Sequence, residues 1–207
     1  MHEQGDMKRA MIHAALELFQ EKGYPLVSVQ DIVNVMGVTK GAFYYYFQSK
    51  EELLFMIHDE FIEYELAAAE ATLREDLAPA TKLARMIKEL LESVSKFQSH
   101  VKVFFRDWHY LNEQDKAQIK SKRDRYERMF YEVIVQGKES GAFRQDVDPR
   151  IATFAVFGMC NWMYQWYKPT ARLTVDEIAR MMQTIFLHGY ESADIPVAPA
   201  LDAVEGP

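Results

Sequence analysis

The residue types that most often carry catalysis or bind metals are sparse and scattered in this sequence. Its six histidines include no pair at the His-x3-His spacing of a metal site, and its one cysteine, Cys160, lies inside an apolar run. The neighbouring carboxylates Glu51 and Glu52 follow Ser49 in the pattern of a helix cap rather than of an acid and a base. No glycine-rich phosphate loop or nucleophile elbow is present. We therefore expect no enzymatic activity, no metal and no cofactor.

A different chemistry, hydrogen bonding to nucleic acid, is indicated by the segment GVTKGAFYYYF, residues 37–47. Phe43 and Phe47 lie four positions apart and share one face of a helix, whereas three consecutive tyrosines span about 200° and cannot all point inward. The front of the segment offers a hydroxyl, a cation and two small residues, with tyrosines beside them. The residues of this predicted DNA-contacting end are Thr39, Lys40, Gly41, Ala42, Tyr44 and Tyr45. The N-terminal end of a recognition helix touches base edges in the major groove, so the segment predicts DNA binding.

The elements that position this segment are predicted to be helical, because apolar residues recur at helical spacing and strict alternation is almost absent. A capping box beginning at Ser28 opens the second helix, and Gly37 supplies the sharp turn into the third. These two short helices have the lengths of a helix-turn-helix. Ser28 and Lys50, at the starts of the flanking helices, are therefore predicted to contact phosphates on either side of the recognition helix.

Six further helices are predicted after the recognition helix. They run from Ser49 toward Glu75, from Pro79 onward, over residues 100–111, from Asn112 or Gln114 to Gly141, from Pro149 to just before Pro169, and from Thr174 to near Gly189. The proline-rich end has little periodicity. We expect an all-α fold with a DNA-binding domain over residues 1–50, a larger ligand-binding and dimerisation domain over residues 51–190, and a flexible tail over residues 191–207.

The charge distribution agrees with DNA contact at one end only. Residues 1–50 hold five basic and five acidic residues, so the remaining 19 basic and 26 acidic residues carry the whole net charge of −7. One face can therefore meet an anion while the rest repels it. No apolar run is long enough for a signal peptide or a membrane span, and we expect a cytoplasmic protein with no membrane partner.

Residues 14–54, AALELFQEKGYPLVSVQDIVNVMGVTKGAFYYYFQSKEELL, resemble the DNA-binding domain of the TetR (tetracycline repressor type) family. Positions that match Ser28, Thr39, Lys40, Gly41, Ala42, Tyr44, Tyr45 and Lys50 commonly meet DNA in that family. Tyr46 stands where the family often has histidine. The resemblance implies a nine-helix homodimer that binds palindromic operator DNA as a repressor and is released by a small ligand.

The segment IATFAVFGMCNWMYQWY, residues 151–167, has only three clearly polar members and must be buried on more than one side. It is either the central core helix or, in a dimer, a helix that meets the partner. In the second case the last two predicted helices form a four-helix interface in which Gly158 allows close approach. The last helix contributes Ile178, Met181, Met182, Ile185 and Phe186.

Aromatic residues with a few polar groups on the sixth and eighth predicted helices suit a pocket for an apolar molecule with a polar end, although plain core packing is the other interpretation. The candidate lining residues are Arg106, Trp108, Tyr110, Phe157, Asn161, Trp162, Tyr164, Trp166, Tyr167, Lys168 and Arg172.

The segment from Asn161 to Pro169 is similar to the TetR subgroup that senses acyl-CoA thioesters and controls fatty-acid or sterol breakdown. This similarity implies an acyl-CoA effector whose phosphates meet cations near the pocket entrance. The candidate cations are Arg106, Lys168, Arg172, Arg123, Arg125 and Arg128, the last three lying in a charge pattern that is also typical of a solvated helix face. A drug or other aromatic effector, and a helical ligand-binding protein without DNA affinity, stay open as alternatives.

Overall fold

The computed structural model describes residues 2–170 and 172–189, with side chains from residue 6 onward. This part of the chain forms ten α-helices and two short 3-10 helices and contains no strand. The predicted all-α class, with a helix-turn-helix followed by a larger helical domain, is therefore confirmed. The tail predicted over residues 191–207 lies outside the described residues.

The helices are α1 (His2–Lys22), α2 (Val29–Met36), α3 (Lys40–Tyr46), α4 (Lys50–Arg74), α5 (Pro79–Lys96), α6 (Gln98–Asp107), α7 (Glu113–Glu139), α8 (Pro149–Asn161), α9 (Met163–Trp166) and α10 (Val175–His188). The 3-10 helix Tyr24–Leu26 follows α1, and the 3-10 helix Trp108–Tyr110 follows α6.

The boundaries of α2 and α3 follow from local signals in the sequence. Ser28 and Asp31 form a reciprocal capping box at the start of α2, so both orphan N–H groups have partners. Gly37 ends α2 with a φ of 66°, a left-handed conformation that glycine adopts without steric cost. Thr39 then caps α3 by accepting a hydrogen bond from the Ala42 N–H. These contacts fix the orientation of α3 relative to α2.

The α5 helix is the central element of the larger domain and packs against α4, α7, α8, α9 and α10. One stripe of α5 is fully buried, as its spacing predicts. The stripe comprises Leu83, Met86, Ile87, Leu90, Leu91 and Val94. The chain turns from α5 into α6 at Phe97, which has non-helical backbone angles and separates the two helices.

The prediction of a single helix from Pro149 to just before Pro169 is wrong, because the helix is interrupted at Trp162. The α8 helix ends at Asn161 and the short α9 begins at Met163, whose side chain is fully buried. The Gln98 side-chain amide, from α6, donates to the Tyr164 and Tyr167 carbonyls at 3.1 and 2.8 Å. This long-range contact holds α9 against α6, so the implied count of nine helices becomes ten α-helices in the described part of the chain.

None of the helices in residues 2–170 and 172–189 is both long enough and apolar enough to cross a membrane.

Candidate nucleic-acid interface and internal cavity

The exposed face of α3 carries the residues predicted to contact DNA. Phe43 is completely buried, whereas Tyr44 and Tyr45 are 57% and 68% exposed. Thr39, Lys40 and Gly41 are also exposed, and Ala42 is partly covered. The helix therefore projects hydroxyls and one cation outward while a phenylalanine fixes it from behind.

Aromatic contacts support this face from inside. The Phe43 ring lies 5.4 Å from the Phe47 ring and meets the Tyr44 ring edge-on at 5.3 Å. Tyr46 is partly buried against the core, and its ring lies 4.9 Å from that of Tyr45. The three consecutive tyrosines thus divide into two exposed side chains and one that packs inward, as their spacing requires.

Ser28 and Lys50, the two predicted phosphate contacts outside α3, also have roles within the fold. The Ser28 hydroxyl donates to Asp31 Oδ2 at 2.5 Å, and this bond lowers the pKa of Asp31. The Lys50 ammonium donates to the Tyr24 and Val27 carbonyls at 2.8 and 2.7 Å and lies 4.0 Å from the centre of the Tyr24 ring. Burial lowers the pKa of Lys50. An ammonium has three donors, so one is left for a phosphate, and that contact stays a prediction.

A set of hydrogen bonds joins α6 to the end of α1. Arg106 donates to the carbonyls of Phe19 and Gln20 and also bonds its neighbour Asp107. Asp107 is buried and accepts a bond from the Tyr24 N–H at 3.4 Å. The guanidinium of Arg106, a predicted ligand contact, thus connects α6 to the end of α1 and does not line the cavity between α4, α6, α7 and α8. We call the set Arg106, Asp107, Phe19, Gln20 and Tyr24 the α6–α1 junction.

A cavity of about 420 Å³ lies between α4, α6, α7 and α8. Its walls are mainly aromatic and aliphatic. The lining residues are His58, Phe61, Ile62, Glu65, Val101, Phe104, Phe105, Trp108, Ile119, Lys120, Arg123, Asp124, Tyr126, Glu127, Phe154, Phe157 and Asn161. Three predicted ligand contacts, Trp108, Phe157 and Asn161, are among them, together with Arg123, one of the predicted cations.

The other predicted ligand contacts do not line this cavity. Trp162 and Trp166 are 61% and 47% exposed, and Tyr167 is buried outside the cavity lining. Tyr164 stacks on Phe105 at 5.1 Å. The remaining residues in this set are Tyr110, whose ring lies 5.3 Å from that of Tyr24, and the exposed Lys168 and Arg172.

Two polar side chains of α4 line the cavity without a hydrogen-bond partner in the described residues. They are His58, through both ring nitrogens, and Glu65, through Oε1. Burial raises the pKa of Glu65 to about 8, a rise that Ser93 and Arg123 moderate, and burial lowers the pKa of His58 to about 3. Both side chains are therefore mainly uncharged near neutral pH.

Sequence reasoning missed His58 and Glu65. Both occupy positions within the apolar stripe of α4, where Leu54, Ile62 and Ala69 are buried. A polar residue inside such a stripe is the signal that marks them. The sequence alone could not indicate whether a partner or a cavity faces them.

Cations lie along the surface of α7 next to the cavity. Lys120 and Asp124 line both the cavity and two shallow depressions beside it. Arg128 lines both depressions, and Arg150 lines the second. Asp124, Glu127 and Asp148 also line these depressions, and Lys120 pairs with Asp124 at 2.5 Å. We call the three cations Lys120, Arg128 and Arg150, the last from α8, the α7 basic groove.

Nucleophilic and metal chemistry have no support in the described residues. Cys160 is completely buried, and burial raises the pKa of its thiol to about 12. Residues 2–170 and 172–189 contain no group of three His, Cys, Asp or Glu side chains arranged to hold a metal ion.

The two helices α8 and α10, which pack against α5, also present apolar side chains to solvent. On α10, Ile178 is buried, while Met181 and Ile185 are 51% and 45% exposed. On α8, Ile151 and Phe154 are 62% and 48% exposed. Gly158 has open space where a Cβ would stand. Clustered exposed apolar residues mark an interaction surface.

Sequence profiles of known families match most of the chain. Residues 11–57 match the profile described as bacterial regulatory proteins, tetR family. Residues 76–190, more than half of the chain, match the profile described as tetracyclin repressor-like, C-terminal domain. The first match covers α3, and the second covers the cavity-lining helices α6, α7 and α8, whereas the cavity-lining part of α4 lies between the two matches.

Several known proteins are similar to the chain over most of its length. The TetR family transcriptional regulator PfmR from Thermus thermophilus is 31% identical, with a TM-score of 0.81 over 88% of this chain and 99% of that one. The crystal structure of AibR in complex with isovaleryl coenzyme A and operator DNA is 26% identical, with a TM-score of 0.78 over 87% of this chain and 97% of that one. The HTH-type transcriptional repressor KstR2 of Mycobacterium tuberculosis is 24% identical over 86% of this chain and 90% of that protein.

Proposed function

Because the chain belongs to the TetR family of bacterial regulatory proteins, we propose that it represses transcription by binding a palindromic operator as a homodimer and leaves the DNA when an apolar effector fills the cavity. Members of this family are DNA-binding regulators rather than enzymes, and they need no cofactor. The observation that carries the proposal is the exposed front of α3, with Phe43 buried behind it. We expect the protein to act in the cytoplasm, where its operator is.

The proposed DNA contacts divide into base contacts and backbone contacts. Thr39, Lys40, Gly41 and Ala42 stand at the N-terminal end of α3, which enters the major groove in proteins of this architecture. The remaining contacts, proposed to be with phosphate and sugar, come from Tyr44, Tyr45, Ser28 and Lys50. A gel shift with duplex DNA from the region upstream of the gene tests this. Absence of any specific complex at low salt, together with tight binding of a small molecule, would favour the alternative of a helical ligand-binding protein without DNA affinity.

We propose that the exposed apolar faces of α8 and α10 form the dimer interface. The proposal is supported by the exposure of Met181 and Ile185, which lie three and seven positions after the buried Ile178 and continue its apolar side of α10 out to solvent. Two such helices from each of two copies would make a four-helix interface around a two-fold axis.

Ile185→Glu is expected to convert the dimer into monomers. A carboxylate buried near the two-fold axis would lose its hydration and would repel the same carboxylate of the partner subunit. We expect the dissociation constant of the dimer to rise at least about 100-fold, measured by analytical ultracentrifugation. Leu26→Glu is the matched control, since Leu26 is 78% exposed on the 3-10 helix Tyr24–Leu26, away from α10. A dimer that survives Ile185→Glu would place the interface elsewhere.

As effector we propose an acyl-CoA thioester, with its acyl part in the cavity and its phosphates on the α7 basic groove. The proposal is supported by the shared lining residues Lys120 and Asp124, which make the cavity and the groove continuous. It also agrees with the isovaleryl coenzyme A bound by AibR. Arg125, a predicted phosphate contact, is paired with Glu70, and Lys120 is paired with Asp124, so both contribute less than Arg128 and Arg150.

Thermal-shift measurements with acyl-CoAs of increasing chain length test the effector. Stabilisation that grows with chain length until the cavity is full would support the proposal, since each buried CH2 contributes about 0.8 kcal/mol. Stabilisation by drugs or other aromatic compounds alone would favour the alternative effector class. The regulated genes that go with a long-chain acyl-CoA are those of fatty-acid degradation, a proposal that rests on the similarity of the segment from Asn161 to Pro169.

We propose that the α6–α1 junction couples the cavity to the recognition helices. Four residues of α6 and the 3-10 helix after it line the cavity, namely Val101, Phe104, Phe105 and Trp108. Arg106 and Asp107 stand between them in sequence and bond α1. A ligand that displaces α6 therefore moves the end of α1. The ligand shifts the equilibrium between the DNA-bound and the released conformation because it binds the released conformation better.

Arg106→Lys is expected to weaken this coupling without emptying the cavity, because lysine cannot bond two carbonyls and a carboxylate as a guanidinium does. We expect decanoyl-CoA to bind within about twofold of wild type, while the ratio of operator affinities without and with decanoyl-CoA falls at least about fivefold. Fluorescence anisotropy of labelled operator measures the ratio. Arg74→Lys on the exposed end of α4 is the control, and an unchanged ratio in Arg106→Lys would contradict the coupling.

A further inference from the structure

Two polar side chains on the cavity wall have atoms without hydrogen-bond partners in the described part of the chain. His58 and Glu65 are only 1% and 5% exposed, yet both line the cavity. Both imidazole nitrogens of His58 and Oε1 of Glu65 have no hydrogen-bond partner in the described part of the chain. Burying a polar group without a partner is unfavourable. A ligand that supplies the missing hydrogen bonds therefore gains affinity that a plain hydrocarbon cannot gain.

The spacing of the two positions limits the shape of such a ligand. Residues seven apart on a helix share one face, and their Cα atoms are separated by about 10 Å along the axis. Phe61 and Ile62 line the cavity between them. The complementary molecule is consequently an apolar body with hydrogen-bonding groups at its periphery.

The charge state of the side chains lining the cavity disfavours an ionic ligand group next to the Glu65 carboxyl. Burial keeps the pKa of Glu65 at about 8 and that of His58 at about 3, so both groups are mainly uncharged at pH 7. An anion placed directly against the Glu65 carboxyl would have to be buried, and the cation that acts on Glu65, Arg123, is better placed to pair with it than the uncharged carboxyl is. An uncharged carboxyl can donate one hydrogen bond and accept others, as a hydroxyl or keto group requires.

A cationic ligand group is disfavoured by a cation already present. The Arg123 guanidinium lines the same cavity, lies 4.7 Å from the centre of the Phe104 ring and forms no ion pair with another described residue. After burial and His100, it contributes to the lowered pKa of His58, and it would repel a second cation placed beside that imidazole. Arg123 is exposed, so an anionic part of a ligand can pair with it at the cavity mouth rather than at Glu65.

Building on the proposed effector function, we propose that the cavity selects a ligand whose buried apolar part carries an uncharged hydroxyl or keto group, and that the Glu65 carboxyl is the hydrogen-bond partner of that group.

The test compares four small probes of nearly equal size: 2-naphthol, 2-methylnaphthalene, 2-naphthoate and 2-naphthylmethylamine. Calorimetric titration at pH 7 of the full chain should show that 2-naphthol binds at least about tenfold more tightly than each of the other three. Glu65→Gln, which keeps an uncharged donor and acceptor, should retain this preference. Glu65→Leu, which removes an unpartnered buried carboxyl and should fold at least as well, should reduce it to less than about twofold.

Several outcomes would overturn the inference. These are equal binding of 2-naphthol and 2-methylnaphthalene, tighter binding of either charged probe, retention of the preference in Glu65→Leu, or no binding of any probe. None of them depends on operator DNA or on coenzyme A. Failure of the proposed function would appear separately, as absence of an operator complex or of its release by acyl-CoA.

Discussion

Simultaneous replacement of Lys40 and Tyr44 by alanine is expected to weaken operator binding about 100-fold. Lys40 is the only cation in α3, and Tyr44 is 57% exposed beside it. Each interaction of this kind contributes about 1–1.5 kcal/mol, and 1.4 kcal/mol corresponds to tenfold in affinity. Gel shift or anisotropy with the upstream duplex measures the change.

The control for this variant removes the same two residue types from the larger domain. Lys102→Ala with Tyr131→Ala takes a lysine from α6 and a 40% exposed tyrosine from α7. Operator affinity should stay within about twofold of wild type, because exposed sites away from contacts change stability by about 0.5 kcal/mol or less. Equal weakening in the two double variants, or unchanged affinity in Lys40→Ala with Tyr44→Ala, would reject the assignment of α3 as the recognition helix.

The internal hydrogen bonds of Lys50 make it a poor first target. Its ammonium bonds the Tyr24 and Val27 carbonyls, which connect the start of α4 to the loop between α1 and α2. Lys50→Ala therefore removes hydrogen bonds of the fold together with any phosphate contact. Weaker operator binding in that variant would not distinguish the two causes unless its unfolding free energy were measured as well.

The unfolding free energy of the protein is expected to fall as the pH rises from about 4.5 to about 8, the unfolded and folded pKa values of Glu65. Glu65→Gln is expected to abolish this contribution to the pH dependence. The folded protein holds the Glu65 proton up to a pKa of about 8, whereas the unfolded chain releases it near the ordinary value of 4.5. Between these two values the folded state binds more protons, so raising the pH favours unfolding. Relative to wild type, Glu65→Gln should gain about 4 kcal/mol in unfolding free energy between pH 5 and pH 8.5.

Urea unfolding of both proteins at fixed protein concentration across this pH range measures the difference. Comparison with the variant cancels the other titrating groups, including His58, whose pKa of about 3 makes stability fall in the opposite direction, as pH drops below 6.5. Glu132→Gln gives the background for removing an exposed carboxylate. A difference between wild type and Glu65→Gln that does not change with pH would show that the Glu65 carboxyl is hydrated or paired rather than buried and protonated.

The expected pH dependence and the ligand selectivity have one physical origin. A carboxyl facing an apolar cavity without a partner stays protonated, which lowers stability at high pH and leaves a hydrogen-bond donor for a ligand. Buried polar groups without partners often mark positions at which a protein gives up stability for function. Ligand binding should for that reason stabilise wild type more than Glu65→Leu.

Much of the helix-turn-helix could be predicted from the sequence because its signals act over a few residues. The capping box at Ser28, the left-handed Gly37 and the cap at Thr39 each involve groups within three or four positions along the chain. The inward position of Phe43 and Phe47 follows from the helical period alone. The α5 stripe was predictable for the same reason.

The cavity was predicted less well because its lining depends on which helices face one another. Trp108, Phe157 and Asn161 were found by their residue types, but aromatic residues after Asn161 leave the cavity when α8 breaks. Nothing local marks that break, which is maintained by Gln98, 66 and 69 positions away from the carbonyls it bonds.

The amino-acid sequence by itself determined the helical class, the caps and turns, and the exposed end of the recognition helix, since these depend on interactions between near neighbours in the chain. Only the tertiary structure decided that Arg106 reaches α1 and that His58 and Glu65 face a cavity. A charged or polar side chain takes its role from the group opposite it, and that group comes from a distant part of the chain.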